Sequence, residues 1–226
     1  MMTNLFSTFD PSTTMKLSMN WMSMLFTLIM LPMMFWMLPN RYIMIFNLIN
    51  KLLFNEFKML LNNNFFNFNL LLISLFMFIL FNNMMGLLPY IFTSSSHLMF
   101  CLSLSLPLWL SLMIFGWMNM TQNMFIHLIP TGTPMLLTPF MVCIETISNI
   151  IRPGSLAVRL TANMIAGHLL MSLLGNNIMN MNNITIMILL LVQMMLMLFE
   201  LAVACIQAYV FSILTTLYSS EVMYEK

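Results

Sequence analysis

This sequence predicts an all-α membrane protein, with about five helices crossing the bilayer and one amphipathic helix lying in its interface. Three observations carry the prediction. Of 226 residues, 61% are hydrophobic. Only 6% are Asp, Glu, Lys or Arg, against about 25% in ordinary soluble domains. The apolar residues are gathered into runs of crossing length, about 20 residues each, interrupted by Pro, Asn and charge. Seven basic and six acidic residues leave a net charge of +1, so there is no field to hold a nucleic acid. Cys101, Cys143 and Cys205 sit singly in apolar stretches and read as packing residues, not as a disulfide framework.

The elements follow in chain order. Residues 1–16 are an N-terminal segment carrying Asp10 and Lys16. Residues 17–38 make a first crossing helix, ended by Pro39-Asn40-Arg41, and neither a cleaved signal nor a transit peptide is expected before it. Residues 40–64 place Arg41, Lys51, Glu56, Lys58 and several asparagines among Leu, Ile and Phe, the composition of an interfacial helix. Residues 65–88 and 98–118 are the next two crossings; Pro89 stops the one, and the other contains Pro107 and closes on Gly116-Trp117. A loop runs on to Pro134. Residues 135–174 and 184–218 are two long helices joined by an Asn-rich turn that begins at Gly175.

At 1.5 Å per residue these last two would measure about 60 and 52 Å. A hydrocarbon core of about 30 Å cannot hold them upright, so they tilt or bend, and Pro139, Pro153 and Gly154 offer places to bend. Residues 219–226 are a polar tail. Five crossings put the termini on opposite sides. Arg41, Lys51, Lys58 and Lys226 then share one side against Lys16 on the other, which sets the N-terminus outside and the C-terminus inside.

Charge is distributed by position. Between Lys58 and Glu221 the charged residues are Glu145, Arg152, Arg159 and Glu200, and the rest lie in loops, the interfacial segment or the termini. All alanines fall between Ala157 and Ala208. The 31 methionines are scattered over nearly every segment, as a coding bias would scatter them, and do not outline a binding face.

An arginine in mid-span costs from about 3 to above 10 kcal/mol and marks a partner, a cavity or a pathway. Arg152, beside Pro153, suits a snorkelling position as well as a functional one, and its role stays open. Arg159 lies deeper. At 100° per residue, Ser155, Ala162, Asn163 and Ala166 fall within about 60° of it, a stripe of small side chains that lets another helix approach closely. His168 is nine positions on, about 13 Å along the axis and on the opposite face, towards the rest of the protein. In the last helix Gln193, Glu200 and Gln207 recur every seven residues, a polar row of the kind that walls a water-filled path. A buried Glu and a His together suit a proton relay, since His titrates near neutral pH.

Other chemistries fail by count. His97, His127 and His168 are single and far apart, without the ligand spacing of a haem or zinc site. No Gly-rich phosphate loop is present, so neither nucleotide hydrolysis nor a cofactor is expected of this chain. A self-contained ion transporter would show matching halves with broken helices, which the lopsided charge and alanine distribution opposes. A purely structural anchor would leave Arg159, Glu200 and Gln207 replaceable.

The stretch Arg159-Leu160-Thr161-Ala162-Asn163-Met164-Ile165-Ala166-Gly167-His168-Leu169-Leu170 resembles the signature of subunit a of mitochondrial F-type rotary ATP synthases. Glu145-Thr146-Ile147-Ser148 upstream and Glu200 through Phe211 downstream resemble that family's other two characteristic blocks, in order. Before about position 85 the likeness rests on the span pattern alone.

The resemblance implies a non-catalytic stator subunit of the mitochondrial inner membrane, with the N-terminus in the intermembrane space and the tail in the matrix. Its partners would be the c-ring, the peripheral stalk, other membrane-sector subunits and the bilayer, with no nucleic acid. The last two helices would form a tilted hairpin against the ring. Arg159 would keep passing ring carboxylates ionised and separate two offset proton half-channels. His168 and Glu200 would line the intermembrane-space side, Glu145 and Glu221 the matrix side, and Asn163 and Gln207 would face the ring and the arginine. Ser155, Ala162 and Ala166 would be the small residues facing the ring. Proton as the coupling ion is likewise implied by the family.

Overall fold

The computed structural model describes residues 4–13, 17–32, 35, 37–61, 66–129, 134–178 and 182–223. It contains seven α-helices among them: α1 (Ser23–Ile29), α2 (Arg41–Leu60), α3 (Phe66–Gly86), α4 (Leu98–Asn119), α5 (Thr121–His127), α6 (Thr138–Ile178) and α7 (Asn183–Met223). Among the described residues four helices are long and apolar enough to cross a membrane, within α3, α4, α6 with the turn before it, and α7. The protein is an all-α membrane protein.

The first apolar run departs from the expected crossing helix over 17–38. A 3-10 turn, Met19–Met22, leads into α1, and helix ends at Ile29. At 1.5 Å per residue the stretch Met19–Ile29 measures about 16 Å, half a hydrocarbon core. Pro32 explains the stop: it lacks an N–H and pushes Leu31 away from helical backbone. Residues 33, 34 and 36 of the expected crossing lie outside the described ones.

Two further differences from the expected elements concern the segment after α4 and the C-terminal tail. The segment after α4, expected as a loop, contains α5, which folds back so that Phe125 meets Trp117 edge-on at 5.2 Å. Gly116 permits this, since a Cβ there would lie 3.0 Å from Met124 Sδ and 2.9 Å from Val222 Cγ1. The polar tail expected from 219 continues α7 as far as Met223. Ser219 and Ser220 return their hydroxyls to Thr216 and Leu217 carbonyls at 2.7 and 2.8 Å, which keeps polar side chains compatible with helix. Residues 224–226, with Glu225 and Lys226, lie outside the described residues, as does Lys16.

Both prolines inside long helices, Pro107 in α4 and Pro153 in α6, are passed without a break in the assigned helix. Pro139 sits in the first turn of α6, where its missing donor has no intrahelical partner to lose.

Packing follows from residue size. α3 runs along α7, α4 along α6, and α6 and α7 lie on each other. Lipid offers apolar contact as good as protein does, so helices associate where small residues let backbones come close. Ala157, Ala204 and Ala208 are fully buried at these seams. Around them Leu72, Phe76 and Ile79 of α3 meet Leu156 and Leu160 of α6 and Phe211 of α7. Cys101 packs into the same core with its thiol donating to the Ser95 carbonyl at 3.3 Å, whereas Cys143 is exposed and does not pack as expected.

Polar groups at this level are tied to one another. Asn83, fully buried, reaches from α3 to the Ala204 carbonyl of α7 at 3.5 Å, and Ser94 of a buried 3-10 turn donates to Asn82 at 3.3 Å. The amphipathic α2 presses Leu53 and Phe57 into the core, and the Tyr209 hydroxyl of α7 donates to Glu56 at 3.0 Å. The outward side of α7 is bare: Met187, Ile188, Leu191, Met194, Met195 and Leu198 are all exposed.

Candidate functional site: the ionisable residues of the long hairpin

α6 divides its faces sharply around Arg159. Leu156, Ala157, Leu160 and Thr161 are buried against the other helices. Arg159, Ser155, Ala162 and Ala166 are exposed, and Asn163 is half-buried. The small-residue stripe read from the sequence therefore lies on the outer face of the hairpin. Arg159 makes no ion pair among the described residues; the ion pairs found there both belong to Arg152.

Half a helical turn out of phase, His168 is half-buried and faces inward. Its ring meets Phe9 of the N-terminal segment edge-on, with centroids 6.3 Å apart. It lines a cavity of about 930 Å³ together with Gln193 of α7, Asn176 at the end of α6 and the loop that follows α3.

Glu200 is 8% exposed. Its carboxylate lies against the backbone of α6 one residue before the histidine: a Cβ on Gly167 would stand 2.7 Å from Glu200 Oε1 and 2.8 Å from its Cδ. Glycine is the side chain that this approach allows. Neither Glu200 oxygen has a hydrogen-bond partner among the described residues, and neither does His168 Nε2. A buried polar group without a partner is costly, and ionisable groups at membrane depth in that state mark functional positions. Gln207, two turns further along α7, is half-buried.

At the other end of the hairpin Arg152 gathers the remaining charges. Its Nη1 donates to Glu221 Oε2 at 2.6 Å, its Nη2 stands 3.7 Å from Glu145 Oε1, and its guanidinium lies 4.9 Å from the Tyr218 ring centroid. All four residues line a cavity of about 450 Å³, with His127 and Asn149. Sequence reasoning left Arg152 without a role, yet a signal was present. Glu145 and Arg152 are seven residues apart on one helix, two turns, and so share a face. Glu221 came from a separate helix and gave no such cue.

The structure thus brings the sequence-predicted residues into three groups: Arg159 with its small neighbours outside; His168 and Gln193 on one cavity, with Glu200 against Gly167 beside the histidine; and Glu145 with Glu221 around Arg152. Among the described residues no three His, Cys, Asp or Glu side chains cluster to hold a metal ion.

These features define a multi-pass helical membrane protein with ionisable side chains held within its spans. The family model for the ATP synthase A chain matches residues 17–220. The chain is 60% identical over 223 residues to ATP synthase subunit a of Drosophila simulans and of Drosophila melanogaster, covering 98% of this chain and 100% of each relative. Identity to ATP synthase subunit a of Anopheles quadrimaculatus is 60% over 225 residues, with the same coverage. The chain belongs to the ATP synthase subunit a family.

Proposed function

We propose that the chain is the static, non-catalytic, proton-translocating subunit in the membrane sector of a mitochondrial ATP synthase. It lies in the inner membrane with its tail in the matrix. The N-terminal segment shares a cavity with the loop after α3 and with Asn176 near the α6–α7 turn, the side away from the tail. On that ground the segment is assigned to the intermembrane space, although the helix of the first apolar run is too short to cross by itself. The subunit works against a c-ring, alongside the peripheral stalk and other membrane-sector subunits.

The observation that carries this reading is Arg159: a mid-helix cation, exposed among small residues, without an acidic partner among the described residues. Its carboxylate is expected from outside. A ring carboxylate is tolerable in charged form only beside Arg159 or water, and in neutral form it is stable in lipid. Protons exchanging at two separate places therefore oblige the ring to travel through lipid between them. A membrane potential supplies about 2.3 kcal/mol per charge per 100 mV for that travel.

Helical geometry supports two places at different depths. Arg152 lies about 10 Å to one side of Arg159 along α6 and His168 about 13 Å to the other, at 1.5 Å per residue. The two groups are thus about 24 Å apart along α6, a separation in depth that the tilt of the helix shortens, with Arg159 between them. His168, Glu200 and Gln193 form the inlet from the intermembrane space. Glu145 and Glu221 form the outlet to the matrix, with Arg152 holding both carboxylates in place. Asn163 and Gln207 flank the arginine on the two helices.

The test is Arg159→Ala in assembled complex, measuring proton-driven ATP synthesis. Loss of at least a hundredfold, about 2.7 kcal/mol, is expected with normal assembly. Coupled synthesis at the parent rate would overturn the proposal and leave a structural anchor.

A further inference from the structure

We infer that the N-terminal segment forms the outer mouth of the inlet and that Asp10 is the fixed negative charge that gathers protons there. This rests on the proposed inlet at His168 and Glu200.

One cavity joins the two. The space of about 930 Å³ is lined by Ser7, Thr8 and Asp10 of the segment and by His168 and Gln193 of the hairpin. The 3-10 turn Leu5–Phe9 packs on α6, and its last residue, Phe9, stands edge-on to the His168 ring at 6.3 Å, within the range of a specific aromatic contact. A proton reaching His168 through this cavity passes the segment first.

The segment is also fastened. Asn20 Nδ2 donates to the Asp10 carbonyl at 3.1 Å, and Thr13 donates from Oγ1 and from its backbone N–H to the Leu17 carbonyl at 2.9 and 3.1 Å. Asp10 Oδ1 accepts the Ser12 backbone N–H at 3.1 Å and the Ser12 hydroxyl at 2.9 Å. These bonds hold the Asp10 carboxyl below its usual range, so it stays charged at neutral pH. It acts as a field, not as a proton store. Among the described residues the titratable groups lining the cavity are Asp10, Tyr90 and His168, with no Lys or Arg.

Supply makes such a charge useful. At a diffusion limit of roughly 10⁹–10¹⁰ M⁻¹s⁻¹, a single acceptor at pH 7 meets about 10²–10³ protons per second, the upper range of ordinary enzyme turnover. Raising the pH starves it further. An anion at a low-dielectric opening raises the local cation concentration and the on-rate.

The experiment is Asp10→Asn in assembled complex in sealed membranes, with ATP synthesis followed as the outer pH rises from about 6.5 to about 8.5 at constant driving force. The variant should match the parent at the acid end and fall about two- to fivefold below it at the alkaline end. Asp10→Glu should follow the parent. Superimposable pH profiles for Asp10→Asn and parent would overturn the inference. Glu200→Gln in the same assay separates the two levels: blocked at every pH, it upholds the inlet whatever Asp10 does, whereas normal synthesis would sink the inlet itself. Should Asp10→Asn fail to assemble, Ser7→Cys carries the test. A bulky impermeant thiol reagent added outside should slow synthesis severalfold in that variant and not in the parent, and no slowing would refute a mouth at this place.

Discussion

At one end of the α6–α7 hairpin Arg152 gathers Glu145 and Glu221 into an ion-paired group whose side chains are 27% to 56% exposed. At the other, Glu200 is 8% exposed and neither of its oxygens is bonded to a described residue. The first end has its charges matched and partly wet, an arrangement of small net energy. The second has a buried carboxyl with no hydrogen-bond partner among the described residues, a costly arrangement for a polar group. Proton exchange is therefore expected to be more sensitive at Glu200, and the Arg152 group to be the more tolerant of change.

That contrast can be broken in graded steps. Glu200→Gln should remove a titrating site while keeping its shape, and proton-driven synthesis should fall at least tenfold, about 1.4 kcal/mol of barrier. Glu200→Asp should recover part of the rate, and a Gln variant at parent speed would abolish the distinction between the two ends. Gly167→Ala comes next, because a Cβ 2.7 Å from Glu200 Oε1 obliges the carboxylate to move. Displaced catalytic geometry costs up to about a hundredfold per ångström in enzymes; for this mobile side chain roughly a three- to tenfold loss is expected. Unchanged synthesis would show that the position of Glu200 against α6 does not matter. The smallest effect belongs to Arg152→Ala combined with Glu221→Gln. Stability or assembly measured for the single and double variants should give a coupling of no more than about 1 kcal/mol, as for exposed pairs. A coupling several times larger would mean that the outlet end is as tightly built as the inlet end.

Legibility in the sequence followed what each feature depends on. α3, α4, α6 and α7 were readable because a crossing helix announces itself by length of apolar run alone. The short helix within 17–38 was missed because the length of the apolar run outweighed Pro32, a stop signal that the sequence itself carries. The opposed faces of Arg159 and His168 followed from helical phase. The close approach of Glu200 to Gly167 did not, since it needs the register of α7 against α6, which neither helix encodes by itself. The same holds for Glu221, which pairs with Arg152 across helices, and for Asp10, whose neighbour in the cavity is 158 positions away along the chain.

The bare outward side of α7 has a consequence for what stability means here. Met187, Ile188, Leu191 and Leu198 are largely uncovered by the described residues, so the free energy of the folded state depends on whatever supplies that contact. By mass action, anything that binds only the native arrangement raises its apparent stability. Substitutions on this side would then pass unnoticed when the isolated chain is melted in detergent, and would register as a shift in the concentration at which the complex comes together.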